Sequence, residues 1–160
     1  MHKRVYTQTF GAVGAIIERE GKILLVQEAR GKDKGKWNQP AGWIDVGEHP
    51  QEATVREIKE ETGLTFIPEG ILGLYSIVKE NLRSQVDAGV PHGIKIMYRG
   101  RSAGEVQTDT QEVAAAKWFT PQEIDAMGPD VLRDMDIKQE VADYFAGKIF
   151  PLDMVQHTVQ

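Results

Sequence analysis

The chain has 160 residues, of which 41% are hydrophobic and 27% charged, and its net charge is −5 at neutral pH. This length predicts a single domain over residues 1–160 with an ordinary globular composition. The absence of cysteine excludes disulfides, thiolate zinc sites and cysteine nucleophiles. The acidic balance argues against a general nucleic-acid-binding surface, although it leaves room for a local basic pocket.

An apolar segment from Phe10 to Ile17 follows a basic N-terminus. Glu18 ends this segment and no small-residue cleavage site follows, so the pattern favours a first strand over a signal peptide. No run approaches the ~20 apolar residues that a membrane-spanning helix needs. We therefore expect a cytoplasmic protein that does not contact a membrane.

The first half of the chain predicts two strands, a basic loop and a helix. The strands are Ala12–Ile17 and Ile23–Val26, joined by a tight turn at residues 20–22. A glycine-rich basic loop, residues 30–36, leads to a segment in which Pro40 excludes a helix. The helix begins near Pro50, buries Ala53 and Ile58, and ends at Gly63 with positive φ.

Three further strands and two helices are predicted after this helix. The strands are Ile71–Val78, Gly93–Arg99 and Ala114–Phe119, and a long polar loop from Lys79 to His92 separates the first two. Thr120 and Glu123 form a capping-box helix start. The last helix is predicted over Pro129–Ala146 with these buried positions: Val131, Leu132, Met135, Val141 and Phe145. Interleaved strands and helices indicate an α/β fold with a mixed sheet, followed by a flexible or interface tail at 148–160.

Three glutamates of the first helix share one face. Glu57, Glu60 and Glu61 stand at i, i+3 and i+4, within an arc of ~100°. Such like charges repel, and a divalent cation such as Mg²⁺ or Mn²⁺ would compensate them. The alternative is a solvated helix face on which Arg56 pairs with its acidic neighbours.

The surrounding sequence resembles the signature of the Nudix hydrolases, G-x5-E-x7-R-E-U-x-E-E-x-G-U, where U is apolar. The residues that fill it, without departure, are Gly42, Glu48, Arg56, Glu57, Ile58, Glu60, Glu61, Gly63 and Leu64. The resemblance implies an α/β/α sandwich with a mixed central sheet and a loop–helix–loop catalytic motif. It also implies divalent-metal-dependent hydrolysis of a nucleoside diphosphate linked to another group.

The resemblance also implies roles for individual residues. The metal ligands would be the three helix glutamates, the carbonyl of Gly42 and an acid from a later loop. Glu112 is the candidate for that acid, and Glu105 and Asp109 compete with it. The general base stays open among Glu57, Glu61 and Glu112.

Supporting and substrate-binding residues are expected around these ligands. Arg56 would orient the glutamates through charge-assisted hydrogen bonds, and Glu48 would support the loop or the outer metal shell. Arg30 lies at the end of a strand that should point towards the metal site, so it is the candidate for binding phosphate oxygens. Trp37 is a candidate for substrate stacking, although packing roles are favoured for both Trp37 and Trp43.

Substrate choice lies outside the signature. Pro68 lies too close and Pro91 too far to be the marker proline of members that act on ADP-ribose, which disfavours that subclass. The run WNQPAG resembles small Nudix phosphatases that act on nucleoside tri- and diphosphates and on pyrimidine or thiamine pyrophosphates. The loop from Lys79 to His92 is expected to shape the pocket.

The predicted partner is a small nucleotide or pyrophosphate substrate rather than an extended nucleic acid. A nucleotide-binding sensor of the same fold, without turnover, is the alternative function, and RNA decapping is disfavoured by the acidic balance. Family analogy implies a homodimer.

Overall fold

The structure is a computed structural model that describes residues 9–78, 92–108 and 111–160. Residues 79–91 of the predicted pocket loop and the candidate acid Asp109 therefore lie outside it. The elements in chain order are β1 Thr9–Ala15, β2 Glu18–Arg19, β3 Lys22–Glu28, β4 Trp37–Asn38, β5 Ala41–Trp43, α1 Pro50–Thr62, β6 Thr65–Val78, β7 His92–Ala103, β8 Val113–Phe119, α2 Pro121–Ala126 and α3 Ile137–Phe145. A short 3₁₀ turn, Leu152–Met154, follows α3.

The strands form two four-stranded sheets. The first has the order β5-β1-β7-β6, in which β1 and β7 are parallel and the other pairs antiparallel. The second contains β2, β3 and β4 in that order, and β8 pairs with β3. The predicted mixed sheet is thereby confirmed, and β5 lies at an edge of the first sheet.

Successive side chains of β1 and the residue after it point alternately into two separate parts of the core. Val13 and Ala15 pack with Ala53 and Ile58 of α1 in one apolar cluster. Ile16, directly after β1, belongs to a second cluster that contains Ile137 and Val141 of α3. Because successive strand side chains point to opposite faces, α1 and α3 cover opposite faces of the sheet. This arrangement confirms the α/β/α sandwich.

Helix α1 is fixed at both ends by its sequence. His49 is the N-cap, and its Nδ1 accepts a hydrogen bond from the backbone N–H of Gln51 at 3.0 Å. Gly63 ends the helix at φ 73°, a left-handed conformation that favours glycine. The capping box at Thr120 and Glu123 is present as well. The predicted start near Pro50, the end at Gly63 and the capping box are thereby confirmed.

The prediction of a long last helix is wrong. Residues 129–136 form turns, and the helix α3 covers only Ile137–Phe145. The backbone N–H of Trp37 donates to Val131 O at 2.8 Å, and Arg133 N–H donates to Trp37 O at 2.9 Å. These bonds to β4 replace helical ones. The predicted core positions Val131, Met135 and Phe145 are exposed, whereas Leu132 and Val141 are buried as predicted.

The segment after α3 returns to the sheet. Phe150 and Ile71 exchange both backbone hydrogen bonds at 2.8 Å, and Leu152 and Val155 pack against the α1-side cluster. None of the helices within the described ranges is long and apolar enough to cross a membrane.

Candidate active site

A pocket of about 280 Å³ lies where the edge strand β5 meets helix α1. Five carboxylates line it: Glu28, Glu57, Glu61, Glu112 and Asp134. They come from four separate parts of the chain, namely the end of β3, the helix α1, the entrance of β8 and the segment before α3. The fold therefore brings most of the predicted acids to one cavity.

The backbone of Gly42 packs closely against the carboxylate of Glu57. A Cβ atom at Gly42 would fall on the carboxylate of Glu57, whose three terminal atoms are its nearest neighbours. The missing side chain of Gly42 thus makes the space that this carboxylate occupies. Burial raises the pKa of Glu57, and the guanidinium of Arg56 opposes the rise.

Glu61 is tied to the edge of the sheet. Its Oε2 accepts a hydrogen bond from the backbone N–H of Ala41 at 3.0 Å. Burial raises the pKa of Glu61 to about 8 despite this bond. Glu57 and Glu61 are four residues apart, so one turn of α1 presents both carboxylates to the pocket.

Arg56 holds the acidic residues of the signature together. Its Nε and Nη2 donate to the two oxygens of Glu48 at 2.8 and 2.9 Å, and Nη1 donates to Glu57 at 2.7 Å. A weaker bond of 3.3 Å reaches Glu60, and Nη2 also donates to Trp43 O at 3.1 Å. The Glu48 hydrogen bond raises the pKa of Arg56 and lowers that of Glu48. The exposed Glu60 side chain lies outside the pocket lining.

Glu112 and Arg30 meet at the mouth of the pocket. Arg30 Nη2 donates to Glu112 Oε1 at 2.6 Å, and both side chains are more than half exposed. The backbone N–H of Ala29 donates to Glu112 O at 2.9 Å, which fixes position 112 beside the end of β3. Both residues line the pocket, whereas Glu105 does not.

The two tryptophans lie in different environments. Trp37 packs edge-on against Phe119 with ring centroids 5.0 Å apart and adjoins the α3-side cluster, so the structure does not bring it to the pocket. Trp43 is 54% exposed and lines the pocket. The packing role expected for Trp37 agrees with this contact, whereas Trp43 borders the pocket with a half-exposed side chain.

Several polar residues that line the pocket could not be predicted from the sequence, because the residues with which they form ion pairs are distant in the chain. Lys95 is buried on β7, and its Nζ lies 2.8 Å from Asp136 and 2.5 Å from Glu140. Arg133 Nη1 lies 2.8 Å from Glu28, a residue 105 positions earlier. Asn38 and Gln39 also line the pocket.

The donor set suits a hard divalent cation. Glu57, Glu61, Glu112 and the carbonyl of Gly42 are oxygen ligands of the kind that Mg²⁺ and Mn²⁺ prefer. Burial disfavours the two helix carboxylates in their charged form, and a cation would offset this cost. Across residues 9–78, 92–108 and 111–160, however, no three histidine, aspartate or glutamate side chains are already grouped closely enough to hold a metal ion.

The family model described as NUDIX domain matches residues 8–141. The chain belongs to this family. A solved structure described as a NUDIX hydrolase from Nitrosomonas europaea is 34% identical, covers 94% of this chain and 98% of its own, and superposes with a TM-score of 0.80.

Two curated Nudix relatives show the range of names in the family. An ADP-ribose pyrophosphatase of Methanocaldococcus jannaschii is 42% identical over 83 residues, which are 52% of this chain and 49% of the relative. A putative 8-oxo-dGTP diphosphatase of Bacillus subtilis is 33% identical over 117 residues, 73% of this chain and 68% of the relative. The chain spans about half the length of the first of these relatives.

Proposed function

We propose that this Nudix protein hydrolyses a pyrophosphate bond in a nucleoside di- or triphosphate, or in another small molecule linked to a nucleoside diphosphate. One observation carries the proposal: Glu57 and Glu61, one helical turn apart, line a single pocket beside Gly42. The pocket volume of about 280 Å³ is near the lower end for small-molecule sites, which favours a small substrate over an RNA strand.

The proposed cofactor is Mg²⁺, with Mn²⁺ as a substitute. Glu57, Glu61, Glu112 and the carbonyl of Gly42 would hold it. When bound, it would neutralise phosphate charge and lower the pKa of an attacking water. Glu60, which faces Arg56 on the exposed side, is a weaker candidate ligand.

The protein's own groups would prepare this site. Arg56 positions the Glu57 carboxylate through its Nη1 hydrogen bond, and the Ala41 N–H fixes Glu61. Arg30 reaches the pocket mouth with a guanidinium that donates a hydrogen bond to the exposed Glu112. A phosphate oxygen can compete for that guanidinium, since exposed ion pairs are worth little. Such an exchange would release Glu112 towards the cation.

The relatives widen the proposed substrate range. The relative named ADP-ribose pyrophosphatase supports ADP-ribose as a substrate class, although the positions of Pro68 and Pro91 had disfavoured it. The one named putative 8-oxo-dGTP diphosphatase supports nucleoside triphosphates. Both classes contain the pyrophosphate bond that the proposed reaction breaks.

The test is phosphate and pyrophosphate release from a substrate panel in the presence of Mg²⁺. Glu61→Gln retains an oxygen acceptor for the Ala41 N–H but removes the charge, and we expect it to abolish turnover. Glu52→Gln, on the exposed side of the same helix, is the matched control and should retain full activity. Nucleotide binding without turnover under any metal would refute hydrolysis and favour the sensor.

A further inference from the structure

The segment after α3, residues 149–157, is fixed to the edge of the first sheet through its backbone. Phe150 and Ile71 of the edge strand β6 exchange both backbone hydrogen bonds at 2.8 Å. Gly70 permits this approach, because a Cβ atom there would overlap the side chain of Ile149 and come within 3.0 Å of Phe150 O. The glycine thus leaves room for the C-terminal segment, and the backbone pairing holds it at the edge of the sheet.

The C-terminal segment reaches helix α1 after the 3₁₀ turn Leu152–Met154. Leu152 and Val155 pack against the α1-side cluster. Farther along the segment, the ring of His157 lies beside the ring of His49, and the two centroids are 5.2 Å apart. The segment therefore links the edge strand β6 to the N-terminal end of α1.

His49 determines how the helix α1 begins. Its Nδ1 accepts a hydrogen bond from the Gln51 N–H at 3.0 Å, and its carbonyl accepts one from the Ala53 N–H at 3.0 Å. The side-chain bond pairs a backbone donor that a helix start otherwise leaves without a partner. Because Nδ1 has to face Gln51, only one orientation of the ring caps the helix. The contact with His157 restricts the ring to that orientation.

The position of this helix end affects the catalytic carboxylates. At ~1.5 Å per residue, Glu57 lies about 12 Å from His49 along the axis of α1. A change of about 5° in the tilt of the helix would shift these two residues relative to each other by about 1 Å. A displacement of about 1 Å in a catalytic group costs about 100-fold in rate. Contacts at the N-terminal end of α1 therefore bear on the reaction although they lie away from it.

We propose that Leu152, Val155 and His157 are positioning residues of the catalytic helix. The two apolar side chains hold α1 against the sheet, and His157 orients the ring of the N-cap residue. These three side chains do not line the pocket, so they act through α1 and not on the substrate. The effect on the reaction rests on the proposed function, whereas the hold on the helix does not.

Substitutions of Val155 in the full chain test the apolar contact. Val155→Asp places a charge against the α1-side cluster, and we expect kcat to fall about tenfold while KM stays within about twofold, because every residue that lines the pocket is retained. Val155→Ile keeps the apolar contact and should retain the wild-type kcat. Val159→Asp is the matched control, because Val159 is 72% exposed, and it should behave as the wild type. A wild-type kcat in Val155→Asp, or an equal fall in the control, would contradict the positioning role.

A double-mutant cycle tests the contact between the two rings. His49→Asn keeps a side chain that caps helices well but removes the ring, and His157→Ala removes the other ring. We expect each substitution to lower kcat about threefold and the double variant to lower it by no more than about fivefold, because the second substitution removes a contact that is already lost. A fall of about ninefold in the double variant, the product of two independent effects, would refute the coupling. So would a wild-type kcat in His157→Ala.

Amide hydrogen exchange separates this inference from the proposed reaction, because it needs no substrate. The amides of Gln51 and Ala53 report on opening of the N-terminal end of α1. We expect both to exchange about tenfold faster in Val155→Asp than in Val159→Asp or the wild type. If no substrate in the panel is hydrolysed, faster exchange would still support the hold on α1, and only the proposed function would fail. Unchanged exchange in Val155→Asp would overturn the inference even if the wild type hydrolyses a panel substrate.

Discussion

Replacement of Gly42 by alanine tests the geometry on which the candidate active site depends. The new methyl group would occupy the position of the Glu57 carboxylate. Ordinary carbon contacts require about 3.5 Å, so the carboxylate would have to move by about 1 Å or more. A displacement of this size in a catalytic group costs about 100-fold in rate. We therefore expect kcat/KM to fall about 100-fold in Gly42→Ala.

The assay is steady-state hydrolysis of the best panel substrate over a Mg²⁺ titration. Gly128→Ala is the matched control, because no atom lies within 4 Å of the Cβ it would add. It should behave as the wild type in both activity and thermal stability. If Gly42→Ala stays within threefold of the wild type at saturating Mg²⁺, the Glu57 carboxylate does not act from its position beside Gly42.

Two further predictions concern charged groups. Arg56→Lys can keep only one of the bonds that the guanidinium makes to Glu48 and Glu57. We therefore expect kcat to fall about tenfold and the free energy of unfolding to fall by about 1–3 kcal/mol. Unchanged kinetics and an unchanged urea denaturation curve would argue against the positioning role of Arg56. Burial raises the pKa of Glu140, although Lys95 opposes the rise. The native state therefore keeps this proton to a higher pH than the unfolded chain does, so stability should decrease as the pH rises above ~4.5. Glu140→Gln should show a smaller decrease in Tm from pH 5 to pH 8 than the wild type, and identical decreases would contradict the assignment.

The features predicted correctly from the sequence depend on short-range chemistry. Pro50 and Gly63 delimit α1 because proline suits a first turn and glycine adopts positive φ. The glutamate spacing then determines that Glu57 and Glu61 point the same way. Such features need only a few neighbouring residues, so periodicity and capping suffice to predict them.

The features that were missed depend on contacts between distant segments. Residues 129–136 have helical periodicity, yet their backbone bonds to Trp37, almost a hundred positions earlier. The same pairing draws Arg133 to Glu28 and both into the pocket. Strand β6 likewise begins at Thr65 rather than Ile71, because register shifts around Pro68 and Gly70 let an edge strand continue through residues that normally interrupt one.

Adjacent residues of the three-residue strand β5 point to opposite faces, so Gly42 and Trp43 have different neighbours. Gly42 faces the carboxylate of Glu57, whereas the side chain of Trp43 projects from the other face and borders the pocket. A substitution at position 43 would therefore change the pocket lining without touching the approach of Glu57 to Gly42. A register slip of one residue in this strand would turn the indole towards Glu57, and the space that this carboxylate occupies would be lost.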